Sequence, residues 1–181
     1  IGPKGLAPTY DQDLVPLVFY QTGDWKRRVI DDQIHGVLHR LRPVRWEDGP
    51  REQILTASFD GIKLHSARGR GEGLKWENRL LSKGHEEAAP RAGASDVRMG
   101  RIGKRRFLAS VEPWHGNEVV FYTEDAGRWQ RKVLFSDLVE GHEVCVGDFN
   151  GDGREDIVAG DRGRGKPASV HIFYARDDAG G

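Results

Sequence analysis

The sequence predicts an all-β protein made of four-stranded antiparallel β-propeller blades, with about three blades present. Three observations carry this. Four short alternating runs, A to D, recur in one order about every fifty residues, the signature of a blade repeat. The last run of each unit carries a tryptophan, in "DWKRRVI", "LKWENRL" and "GRWQRKVLF", placing Trp25, Trp76 and Trp129 at separations of 51 and 53 residues. Twenty-four glycines in 181 residues are about twice the usual share of roughly 7%, and with an ordinary apolar content they mark tight turns in a folded chain rather than disorder.

The elements follow in order. "HRLRPVRW", "SDVRMGRI" and "HEVCVGDF" are the A runs, and "ILTAS", "FLASV" and "DIVAG" the B runs. The C runs are "LVPLVFYQTGD", "GIKLHSARGRGEG", "NEVVFYTEDAG" and "ASVHIFYARDDAGG"; the tryptophan segments are D. Gly, Asp, Asn and Pro bound them, as strand ends require. This divides the chain into a partial blade at 14–30, full blades at 39–82 and 95–135, and a partial blade at 143–175. The D-strand aromatic is expected to pack between neighbouring blades. A ring needs at least about four blades, so the chain is expected to be a segment of a larger propeller, with seven blades as the expected total. The first residue, Ile1, fits either a removed leader or a piece of something longer.

Charge narrows the function classes. Lys plus Arg and Asp plus Glu are 28 each, so no long-range field recruits nucleic acid, which is not an expected partner. No run approaches the roughly 18 apolar residues of a membrane span. Cys145 lies in an alternating run and is read as a small core side chain.

"VGDFNGDGREDIVAG" concentrates acid between two apolar runs. Asp148, Asn150, Asp152 and Asp156 stand at positions 1, 3, 5 and 9 of its loop, and Arg154 at position 7 offers only its backbone carbonyl. Oxygen donors in this number suit calcium, which takes six to eight in a tolerant geometry. An EF-hand is excluded: position 12 is Ala159 instead of glutamate, position 8 is Glu155 instead of an apolar residue, and the flanks alternate as strands. The alternative to a metal site is a solvated acidic turn. Arg45 and Arg101 stand where the other two A-to-B loops would need the first aspartate, so those blades are not expected to bind calcium.

The complete D-x-N-x-D-G-x-x-D core resembles the FG-GAP, or VCBS-type, repeat of integrin α propellers and many bacterial extracellular proteins. The resemblance implies a structural Ca2+ on the lower rim of a propeller, with Asp148, Asn150, Asp152, Arg154 and Asp156 as ligands. It also implies an extracellular or periplasmic location, a signal leader in the parent protein, and a scaffold that binds protein or carbohydrate. More distantly, the blade layout is similar to that of the aldos-2-ulose dehydratases, lyases acting on oxidised sugars.

The opposite face, formed by B-to-C turns and D-to-A connections, is expected to gather His39 and His142, which align two repeats apart, with Asp60, His85, Glu112, Trp114, His115, Asp161 and Arg162. "SVEPWHGNE" stands where a ligand mouth would lie. His115, His142, Glu112 and His39 are the candidate acid–base residues; the alternative for the paired histidines is polar packing at a blade junction. "DRGRGKPAS" lacks phosphate-loop spacing and reads as a loop.

Overall fold

The computed structural model describes residues 10, 13–88 and 90–176. Residues 177–181, the tail of the last repeated run, lie outside them. Strands β1 (Leu17–Tyr20) and β2 (Arg27–Asp31) form an antiparallel pair. Strands β3 (Leu38–Val44), β4 (Gln53–Ser58), β5 (Gly61–Arg68) and β6 (Lys75–Ser82) make a four-stranded sheet in sequence order. A two-residue pair, β7 (His85–Glu86) with β8 (Ala92–Gly93), folds the connection to the next sheet. That sheet comprises β9 (Asp96–Ile102), β10 (Arg105–Glu112), β11 (Glu118–Asp125) and β12 (Arg128–Phe135), again in order. Strands β13 (Gly141–Gly147), β14 (Asp156–Asp161) and β15 (Val170–Phe173) follow as a three-stranded sheet. All strand pairs are antiparallel, as propeller blades require. Among the described residues no helix is long and apolar enough to cross a membrane.

Alternation within strands explains the core. Each sheet exposes two faces, and successive sheets bury those faces against one another. Leu55, Ala57, Ile62 and Leu64 of one blade meet Val97, Leu108, Val120 and Tyr122 of the next in one cluster. Phe107, Ala109, Val111 and Val119 meet Val144, Ile157 and Ala159 in a second. Fully burying each Val, Leu, Ile or Phe among them contributes about 1.5–3 kcal/mol, so the blade junctions are a main source of the array's stability.

The D-strand tryptophans behave as the repeat predicts where a preceding blade is present. Trp76 packs on Phe19 at 5.9 Å and Trp129 on Trp46 at 5.6 Å between ring centroids. Trp25 is 67% exposed and adopts a left-handed backbone with φ 52°. Cys145 corrects the reading of a core side chain: it is only half-buried, opposite Val158 across the β13–β14 ladder.

A candidate metal centre of three histidines

His39 and His142 share an unusual local structure. In both the β3–β4 and the β13–β14 ladders the register slips across this position, between Leu38 and Arg40 and between Gly141 and Glu143. Each histidine is therefore the extra residue of a bulge, a device that re-aims a side chain out of the regular pleat. His115 comes from the turn between β10 and β11, with a left-handed φ of 48°. That conformation costs a non-glycine residue of order 1 kcal/mol or more and persists only where surroundings hold it.

Those surroundings are visible. The Trp114 ring stacks on His115 at 4.6 Å and 23°, and Phe59 packs edge-on against Trp114 at 5.5 Å. The amide of Gly141 donates to the Gly116 carbonyl at 2.7 Å, joining the His115 turn to the strand bearing His142. Only glycine permits that approach, since a Cβ on Gly141 would lie 2.7 Å from Val111 Cγ1 and 2.8 Å from Gly116 O.

The three rings thus meet from three sheets. Their ligand nitrogens all lie within 4.8 Å of one another, the one such group of three metal-ligating side chains among the described residues. His39 Nε2 and His115 Nε2 are 3.2 Å apart, and the His115 and His142 rings stack at 5.2 Å. His39 Nδ1 lies 2.7 Å from the Ser95 carbonyl, which can only accept, so Nδ1 carries the proton and Nε2 presents a lone pair to His115. Either His115 donates an Nε2 proton into that lone pair, or a cation takes the proton's place between them.

The donor set fits a metal of the zinc type. Two imidazole nitrogens about 2.0–2.1 Å from a tetrahedral ion lie about 3.3 Å from each other, close to the observed 3.2 Å. Partial burial, then the neighbouring His39 and His142, then Arg162 push the His115 pKa down to about 4, against a smaller upward pull from Glu140. Burial likewise depresses His39, opposed by its bond to Ser95. Neutral imidazoles are what a metal needs, and the His39–carbonyl bond is the outer contact that fixes a ligand's tautomer. Three half-buried protein ligands would leave one position of a tetrahedral ion for water or substrate, as catalytic zinc sites do.

Glu112 does not reach this mouth. It is fully buried, accepting hydrogen bonds from Ser110 Oγ at 2.5 Å, Tyr122 Oη at 2.6 Å and Arg131 Nε at 2.9 Å. Burial raises its pKa against these three partners. His85 pairs at 3.0 Å with Glu118 and at 3.1 Å with Glu87, and Asp60 at 3.1 Å with His35, in a separate surface cleft. Asp161, Ser169 and His171 adjoin, but Ser169 Oγ sits between the other two, at 2.6 and 2.8 Å; a nucleophilic triad needs the histidine in the middle.

Glu140 was not singled out from sequence. Its backbone is left-handed, with φ 56°, and its Oε1 accepts from Arg164 at 2.6 Å. Oε2 is buried without a hydrogen bond, 3.5 Å from Arg162. Its one sequence signal is its place two residues before His142.

The model of the aldos-2-ulose dehydratase β-propeller domain matches residues 14–125, which include His39 and His115. The chain belongs to this propeller family. An FG-GAP repeat matches residues 141–173, which include His142. The aldos-2-ulose dehydratase of Phanerodontia chrysosporium is 29% identical over 166 residues, covering 79% of this chain. The chain spans 18% of the length of that curated relative.

The acidic loop lies in the β13–β14 hairpin, on the opposite rim. Asp148 Oδ1 accepts from the amides of Gly151 at 2.7 Å and Asp152 at 3.2 Å, and Oδ2 from Gly153 at 2.8 Å. Asn150 Oδ1 accepts from Asp152 N at 2.9 Å, and Arg154 pairs with Asp152 Oδ2 at 2.9 Å. Asp156, 1% exposed, accepts from Phe149 N at 3.1 Å and Ala175 N at 2.8 Å. In this arrangement backbone amides and Arg154 answer the acidic charge.

Proposed function

We propose that this chain is the propeller part of a metal-dependent sugar lyase, and that His39, His115 and His142 hold its metal ion. The convergence of three imidazoles from three blades carries this reading, and membership in a dehydratase propeller family supports it. The substrate class taken from the relative's name is an aldos-2-ulose, a sugar with adjacent aldehyde and ketone carbons. Dehydration removes the proton beside the ketone. Its electron pair forms the new C=C bond, the next C–O bond breaks, and the departing hydroxyl takes up one proton to leave as water, balancing the proton removed from carbon.

A bound zinc-type ion would polarise the ketone oxygen and so acidify that C–H bond. Glu140, with Oε2 short of a hydrogen bond beside this mouth, is the carboxylate assigned to accept the proton. Arg162 holds that carboxylate in place. Trp114 keeps water from one side of His115 and offers an apolar wall to a sugar ring.

The hairpin loop is assigned a structural Ca2+ on the strength of its complete oxygen-donor motif and the FG-GAP match. The extracellular or periplasmic location belongs to this proposal, since free calcium is abundant there. A second reading, a scaffold that binds protein or carbohydrate without turnover, rests on the same match.

The deciding experiment incubates the Zn2+-loaded chain with an aldos-2-ulose and follows the unsaturated product by ultraviolet absorbance and NMR. Turnover that disappears with a chelator and in His115→Ala supports the lyase; sugar binding without product supports the scaffold.

A further inference from the structure

We infer that Asp96 is the positioning residue of the three-histidine centre, an inference that rests on the metal-centre reading above. In the aligned A runs, His39, Ser95 and His142 occupy one position, and Arg40, Asp96 and Glu143 the next. The innermost strands of three successive blades therefore carry a ring of charge one residue below the histidines.

This ring is closed by direct contacts. Asp96, fully buried, accepts from Val144 N of β13 at 3.0 Å and from Val97 N at 2.8 Å. Its carboxylate lies 3.3 Å from Arg42 and 3.5 Å from Arg40 Nε, both on β3. Glu143 of β13 closes the other side, with Arg40 at 2.5 Å, Arg42 at 2.7 Å and Arg98 at 3.2 Å. Arg98 Nε also donates to the Val144 carbonyl at 2.9 Å, and Arg40 to the His142 carbonyl at 3.3 Å.

The bulges make this clamp necessary. A bulge interrupts the ladder at the residue it inserts, so the sheet's own bonds hold His39 and His142 less firmly than their neighbours. The contacts fixing those segments run across the blades, to Asp96 and to the Ser95 carbonyl beside it. A buried carboxylate among arginines is costly to keep unless its partners are in place, which confines the clamp to one arrangement. Asp96 touches none of the ligand nitrogens; it acts through the strands that carry them.

The test titrates the full chain with Co2+, reading the visible absorption bands and the dissociation constant by chelator competition. Asp96→Asn is expected to weaken Co2+ binding about 10–100-fold and to change the band pattern. Leu108→Ala, a buried core change outside the clamp, serves as the control for general destabilisation and is expected to bind as the unaltered chain does. Unchanged binding in Asp96→Asn, or an equal loss in Leu108→Ala, overturns the inference. If Asp96→Asn does not fold, Glu143→Gln at the more exposed arm decides: weaker binding with an altered spectrum supports the clamp, and unchanged binding overturns it. An unaltered chain that shows no cobalt spectrum brings down the metal-centre reading itself, whereas normal binding in every variant brings down the clamp alone.

Discussion

The acidic hairpin at 148–156 and the three-histidine centre lie on opposite rims and solve opposite problems. Asp148, Asp152 and Asp156 already have backbone or guanidinium partners within a few residues, Asp156 adding one beyond β15, while Glu155 accepts from the Arg101 amide of β9. An ion arriving there must turn side chains from amides toward a common centre. In the histidine centre two nitrogens already face each other at 3.2 Å, the His39 Nε2 as an acceptor lone pair. A local motif can satisfy itself, whereas a site assembled from three blades is held open by the scaffold. On the proposed reading the hairpin takes a stabilising ion and the centre an exchangeable, reactive one.

The sharpest way to break this contrast is to remove a ligand. His142→Ala should lower Zn2+ or Co2+ affinity at least about 100-fold, beyond the usual effect of an outer contact, while Asp152→Ala leaves it within about twofold; competition titration reads both. Next in size is the buried acid Glu112. Glu112→Ala takes the acceptor from the buried Ser110 and Tyr122 hydroxyls while Arg131 keeps Glu118, and should cost about 1–3 kcal/mol per hydroxyl in urea unfolding, marking Glu112 as part of the fold.

The hairpin has its own signature. With calcium at a hundred times its dissociation constant the chain should gain about 2.7 kcal/mol, seen as a higher melting temperature that Asp152→Ala abolishes and His142→Ala retains. Equal melting in calcium and in chelator would remove the structural-ion proposal.

The smallest expected effect is on acid stability without metal. His39 and His115 have folded pKa values below the ordinary histidine value, His115 at about 4. The unfolded chain therefore binds more protons through this window. The stability their neutral forms confer is complete above pH 6.5 and is lost as the pH falls toward 4. His115→Asn should flatten the decline in melting temperature by a few degrees, and Asp152→Ala should not.

Legibility in the sequence followed the range of each interaction. The hairpin position of the acidic loop was readable because its flanks alternate, and the packing of Trp76 and Trp129 because their repeat coincides with strand order. His39, His115 and His142 were readable as residues of one face but not as one centre. Two single-residue register slips and a left-handed turn bring them together. Glu112 shows the converse. Its place beside Trp114 in sequence suggested the mouth, yet it ends β10 pointing into a pocket made by Ser110, Tyr122 and Arg131.

By itself the sequence determined the strands, their order within each blade and the turn chemistry, because these depend on alternation and on glycine and aspartate within a few residues of one another. Tertiary structure alone decided which histidines meet and which carboxylate lies buried beneath them. Those distances arise from the rotation of one blade against the next, with His39 and His115 separated by 76 residues of chain, and no spacing along the chain encodes that rotation.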